Sequence, residues 1–327
     1  DIAQKLLAAY IDGSLNSVPS FLDDPSDHPL ANEEELSDNI KLLADIGRFD
    51  YRQAAELLIG AHRALAGQYR RLLEAGNASS SASNGGGGMV SLNAGLPDLR
   101  IVEDKLTWLT YVISALVGGR VPYQSTEDED KLDGDLISHI FQTIALLQER
   151  ARQIGVQHLD CFQCAILFIF RQFRTTYISD QSYGVPKAFG QLQANLGLDG
   201  KTQVMEAMVQ TIIRALEMFP AGSPVIVSAV TTLNEFTLGY TSLRLMAKLD
   251  AAQSLLANHA SPSFGFLRSL TRPKDQLVYY NALTKLLCMD DIIDDHFAGF
   301  VAPFNVLLDD ITRVDNATFA QDPSIKL

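Results

Sequence analysis

The chain has 327 residues, 47% of them apolar, and a formal net charge of −13. That balance leaves no basic face for phosphate, which excludes direct nucleic-acid binding and attachment to an anionic membrane. No apolar run is long enough to span a bilayer, no signal peptide opens the chain, and three cysteines make no disulfide framework. A reducing compartment is expected, so the sequons at Asn77 and Asn316 carry no weight. An acidic surface suits basic protein partners.

The first eleven residues read as the tail of a helix already under way, without an initiator Met, and Pro323 to Leu327 bring no closing element. The expectation is a segment of a longer protein. Pro19, Pro25 and Pro29 mark an exposed loop. Asn32 then caps a helix whose first turn holds Glu33 to Glu35 and which runs through Ile40, Leu43 and Ile46 to Gly47. Asp50 caps a longer one, in which Ala54, Leu57, Leu58, Ala61, Leu65 and Leu72 form an apolar stripe to Glu74. Residues 76–97 have a flexible Ser/Gly-rich composition with nothing to bury, SSSASNGGGG from Ser79 to Gly88 above all.

The stretch Lys105 to Arg120, KLTWLTYVISALVGGR, holds the only tryptophan. Leu106, Leu109, Ile113 and Leu116 mark one helix face, while Trp108, Tyr111, Val112 and Ala115 cover much of the rest. A helix apolar on several sides must be sandwiched between neighbours. Gly118 and Gly119 are expected to end it through the left-handed glycine conformation, with Arg120 at the negative end of its dipole. Residues 125–135, STEDEDKLDGD, then read as an acidic inter-helix loop.

Further helices follow at Leu136 to Leu147, Leu159 to Ile178, Val185 to Leu196 and Val204 to Phe219. Pro224 opens the next at its N1 position. Tyr240 to Leu256, Leu277 to Leu287 and Phe297 to Ile311 complete the set. No segment alternates as a strand does. About a dozen helices with pairs recurring at roughly 40–47 residues predict an all-α fold, a HEAT-repeat α-solenoid of stacked antiparallel helix pairs. One continuous solenoid over 1–327 is expected.

Several segments carry a resemblance: Trp108 to Phe141 (WLTYVISALVGGRVPYQSTEDEDKLDGDLISHIF), FRTTYISDQ at 173–181, LNEFTLGYTSLRLMAKL at 233–249 and YYNALTKLLCMD at 279–290. In this order they resemble the middle of the exportin-7 (Ran-binding protein 16) family of karyopherin-β receptors. The resemblance implies a nuclear export receptor segment that shuttles between nucleus and cytoplasm. Its implied partners are Ran-GTP, protein cargo and nucleoporins, and it implies no cofactor and no enzymatic activity. The Ser/Gly-rich stretch departs from the family as an insertion, and the N-terminal repeats that supply a main Ran-binding surface are missing.

Four patterns compete with that reading. Asp290, Asp291 and Asp294 spell DDxxD, the Mg²⁺ motif of helical isoprenoid and terpene synthases, in which carboxylates one turn apart share a hard cation. The required second acidic motif is absent: DDITRVDNA from Asp309 has Arg313 and Ala317 at the wrong places. A second DDxxD, Asp23 to Asp27, is broken by Pro25. Both read as solvated turns. His158, Cys161 and Cys164 form H-x-x-C-x-x-C without a fourth ligand in reach, on an apolar helix, and read as core. Leu92, Leu96, Leu99 and Ile101 have export-signal spacing but lead directly into a helix. No P-loop or serine nucleophile elbow exists.

The acidic loop is the candidate protein-binding site: Glu127, Asp128, Glu129, Asp130, Asp133 and Asp135. Two readings stay open, a solvated connection whose last acids Asp133 and Asp135 cap the next helix, and a landing surface for a basic partner. A generic helical-repeat scaffold unrelated to Ran is the remaining alternative.

Overall fold

Apolar spacings of three and four generate helix after helix, and the computed structural model describes residues 2–21, 33–82, 88–120, 126–180, 186–269, 272–289 and 293–313. Among them every regular element is helical. In chain order these are α1 (Ile2–Phe21), α2 (Glu33–Arg48), α3 (Tyr51–Ala82), α4 (Gly88–Gly118), α5 (Glu127–Ile154), α6 (Asp160–Tyr177) and α7 (Lys187–Leu196). There follow α8 (Gly200–Met218), α9 (Pro224–Phe236), α10 (Tyr240–Met246), α11 (Asp250–Ala257), a 3₁₀ turn (Gly265–Arg268), α12 (Pro273–Leu287) and α13 (Ile293–Arg313). The helices fall into two units, α1 to α7 and α8 to α13, with Ile178–Asp180 grouped with the second.

In the first unit α4 is the centre. It packs against α1, α2, α3 and α6, and Leu106, Ile113 and Val117 are fully buried. Trp108 lies 5.6 Å from the ring of Tyr10 on α1. Burial on all sides also encloses three hydroxyls, each donating to the carbonyl one turn back: Thr107 to Glu103, Thr110 to Leu106 and Ser114 to Thr110, at 2.8, 2.8 and 2.5 Å. The expected sandwich is therefore present.

One ion pair ties three helices together inside this unit. Glu103 of α4 accepts hydrogen bonds from the Tyr69 hydroxyl of α3 (2.9 Å) and Arg150 Nε of α5 (3.0 Å). Arg150 spends its remaining donors on the carbonyls of Gly155 and Gln157, which fixes the turn into α6. Burial raises the Glu103 pKa, and Arg150 with Tyr69 opposes that rise.

In the second unit α12 packs against α9, α10 and the 3₁₀ turn. Tyr279, Phe264 and Phe266 meet there at ring distances of 5.3 to 6.2 Å. Phe300 anchors α13 on His259 (4.3 Å between centroids), while Phe297, Val306, Leu307 and Leu308 are exposed.

Five expectations are corrected. The 125–135 stretch is helical from Glu127, where α5 starts because Thr126 and Glu129 form a capping box, while Ser125 lies outside the described residues. The Ser/Gly-rich stretch 76–97 is helical as far as Ala82 and again from Gly88, through Pro97, with 83–87 outside the described residues. Alanine at 75, 78 and 82 favours continuing α3 across the serines. Pro19 lies within α1 rather than in a loop. Tyr240 to Leu256 divides into α10 and α11, with Lys248 and Leu249 between them. Gly118 and Gly119 do end α4, but neither has a positive φ. A Cβ at 118 would meet only the flexible end of the Gln172 side chain of α6, which can swing aside.

Arg150→Met leaves Glu103 buried opposite no cation and should cost roughly 3–5 kcal/mol, whereas Arg150→Met with Glu103→Gln should recover much of that loss. Urea unfolding of the two variants checks this; equal losses would show that the cost does not come from an unpaired Glu103 charge.

Candidate protein-interaction site

Helix α5 leaves some of the six expected carboxylates in solvent and ties the others to neighbouring helices. Glu127 and Asp128 point outward, with side chains 75% and 63% exposed. Asp128 lies 2.9 Å from Lys131 and 3.7 Å from Arg52, and Glu127 lies 3.9 Å from Lys187. Glu129 turns back to the Thr126 amide at 3.1 Å. Exposed acids in a first turn also favour the positive end of the helix dipole.

The other three are structural. Asp130 pairs with Arg120 at 2.7 Å and accepts the Lys187 backbone N–H at 3.2 Å. Asp135 accepts from Gln191 and Asn195 of α7, at 2.7 and 2.8 Å. Between them Gly134 faces α7 so closely that a Cβ would lie 2.6 Å from the Ala188 carbonyl oxygen. Asp133 is buried, and the hydroxyls of Tyr51 (α3) and Tyr177 (α6) both donate to it. The expectation that Asp133 and Asp135 cap a helix is thus corrected: α5 extends upstream of both, and its cap is Thr126.

Desolvation pushes the Asp133 carboxyl up to about 7, against the two tyrosine hydrogen bonds and the charges of Arg48 and Arg120. Both cations also lie over its tyrosines, Arg48 at 5.2 Å from the Tyr51 ring and Arg120 at 5.1 Å from that of Tyr177.

Asp130 also belongs to a pattern that sequence reading missed. Helix α7 begins after Pro186, which has no side-chain acceptor, and Asp130 supplies one from 57 residues upstream. In the second unit, α10 begins after Gly239, and Asp180 accepts the amides of Tyr240 (3.0 Å) and Thr241 (2.7 Å). Helix α11 begins after Leu249, and Glu206 accepts the Ala251 amide at 3.1 Å. Three helices without a local cap each take an acid from earlier in the chain. The only signal in the sequence is the missing Ser, Thr, Asp or Asn at the cap position.

A family model described as "Exportin-7-like, TPR domain" matches residues 17–275. The chain belongs to the exportin-7-like family. Exportin-7-A of Xenopus laevis is 31% identical over 315 residues, covering 94% of this chain and 27% of its own length. Ran-binding protein 17 of Homo sapiens is 29% identical over 98% of this chain and 28% of its length, and Ran-binding protein 16 of Drosophila melanogaster 26% over 99% and 28%. The chain therefore spans little more than a quarter of these exportin-7-like relatives. No solved structure matches.

The competing motifs add nothing to this site in the exportin-7-like chain. Asp290 and Asp291 of DDxxD lie outside the described residues, as does the Asp23 to Asp27 motif, and of the Asp294 side chain nothing is described. No His, Cys, Asp and Glu cluster suited to a metal occurs among the described residues. Cys164 is buried in α6, and the Cys161 thiol is raised to about 11 by burial and by Asp104 and Asp160. His158 lies in the exposed turn before that helix. Leu99 is buried within α4, while the Leu92 and Leu96 side chains are outside the described set. No described helix is long and apolar enough to cross a membrane.

Between about pH 4 and pH 7 native Asp133 holds a proton that the unfolded carboxyl, near 3.9, has released. The group therefore lowers stability as pH rises through that window and contributes no further slope above it. Asp133→Asn lacks this titration, so its stability relative to wild type should improve from pH 5 to pH 8. Urea midpoints at the two pH values check this; a constant difference would show an ordinary carboxyl pKa.

Proposed function

We propose that this chain is a segment of a nuclear export receptor, a binding scaffold built from stacked helix pairs. The observation that carries this reading is the family match across 17–275, on a chain whose described elements are all helices. The family model speaks of TPR units where the helix spacing suggested HEAT units. Both are helix pairs that bury their apolar faces against neighbours and offer extended surfaces to partners, and we read 1–327 as one continuous run of them.

Ran-binding protein 17 and Ran-binding protein 16 carry Ran binding in their names, and we extend it to the longer receptor. Ran-GTP, a protein cargo and nucleoporins are its partners, and it shuttles between nucleus and cytoplasm. Relatives that are exportins and Ran-binding proteins over 94–99% of the chain leave the isoprenoid-synthase alternative without support. They leave the scaffold unrelated to Ran without support as well.

Within this reading the start of α5 is a contact for a basic surface, reduced to Glu127 and Asp128 with Glu129 at its edge. Asp130, Asp133 and Asp135 act behind it as its mount. Exposed charges of this kind act on association rate and are screened within about 10 Å at 0.1 M salt.

In the longer receptor, Glu127→Gln with Asp128→Asn should slow association with Ran-GTP or a basic cargo and flatten its salt dependence. The melting temperature should change little. Stopped-flow traces at low and high salt measure this; unchanged rates at both would reduce the helix start to solvated surface.

A further inference from the structure

The second unit contains a groove of about 520 Å³ between α8 and α11. Its floor is apolar, formed by Ile213, Leu255 and Phe264, of which Leu255 and Phe264 are buried. Its rim is charged, with Glu217, Asp250 and Arg214 all exposed. The floor and rim fit the general plan of a peptide site, an apolar base with a few polar groups that orient the ligand.

Charge decides the occupant. At one end the Glu206 carboxylate is already engaged, accepting the Ala251 amide at the start of α11. Among the lining side chains Glu217 and Asp250 outnumber the single cation Arg214. A cationic side chain beside an aliphatic one matches the groove; an acidic ligand meets like charge.

We infer that the α8–α11 groove binds an extended peptide segment of a protein partner, one that places a leucine-like side chain on the apolar floor and an arginine or lysine at the rim. The inference rests on reading the chain as a binding scaffold and adds a second contact apart from the start of α5. The partner is a protein segment because the floor needs an aliphatic anchor and the rim a flexible cation, and alternating residues of an extended peptide supply both.

The test uses the whole chain and two labelled peptides, Gly-Arg-Leu-Arg-Leu-Arg-Gly and Gly-Glu-Leu-Glu-Leu-Glu-Gly, read by fluorescence anisotropy without Ran. The basic peptide should bind saturably and the acidic one should not. Ser254→Trp and Gln210→Trp, which fill the groove from its two exposed walls, should each weaken binding by roughly tenfold. Glu217→Gln with Asp250→Asn should weaken it by roughly fivefold. Glu127→Gln with Asp128→Asn serves as the control and should leave it unchanged, which separates the groove from general attraction to an acidic chain. Unaltered melting temperatures certify the tryptophan variants, and having one on each wall covers the loss of either. No binding, equal binding of both peptides, or binding indifferent to both tryptophans would each overturn the inference. None of these results touches Ran association of the longer receptor, whose failure would in turn leave the groove measurement standing.

Discussion

Every helix begins with amide groups that find no partner inside the helix, and a chain built of short helices repeats that deficit many times. Where the residue before a helix is Ser223 or Thr126, the remedy is local. Before α7, α10 and α11 stand Pro186, Gly239 and Leu249, none of which has an acceptor to offer. The acids Asp130, Asp180 and Glu206 fill that gap from other elements. A helix capped in this way is positioned as well as terminated, because its start must come within hydrogen-bond reach of a carboxylate on a neighbour.

The first unit shows how far such placement reaches. Asp130, Asp133 and Asp135 follow one another in the first turns of α5, and each secures different partners: the start of α7 and Arg120, the tyrosines of α3 and α6, and the amide side chains of α7. Gly134 between them allows the backbones to meet. With Glu103 and Arg150 holding the other end of α5 to α4, the helix is fixed at both ends by charge inside an otherwise apolar packing. Glu127 and Asp128 thus sit in the first turn of a helix that its neighbours hold at both ends.

The all-helical character was legible because spacing of apolar residues is a local property, and so was the central position of α4, whose apolar residues surround its axis. Asp50 and Pro224 announced two helix starts correctly, since caps are local too: Asp50 accepts the Gln53 amide and Pro224 follows the Ser223 cap. Composition misled where it was taken to mean absence of structure. Six acids in nine residues suggested a loop, yet Thr126 with Glu129 caps a helix there, and the two acids expected to cap it are tied to other helices instead. Nothing in sequence spacing distinguishes Asp128, outside, from Asp133, inside. The difference arises from Tyr51 and Tyr177, 82 and 44 residues away. The groove between α8 and α11 was invisible for the same reason, its walls being some forty residues apart in the chain.

The three remote caps share a direction. Asp130 precedes α7, Asp180 precedes α10 and Glu206 precedes α11, so the acceptor is always the earlier partner in the chain. A polypeptide leaves the ribosome from its N-terminus, at roughly 5–20 residues per second. Each of these carboxylates is therefore already outside, in a stretch synthesised seconds before, when the helix that needs it emerges. The later helix has a prepared surface to nucleate on and avoids an interval with its first amides unpaired. For these three helices the order of synthesis therefore matches the order in which acceptor and cap are needed.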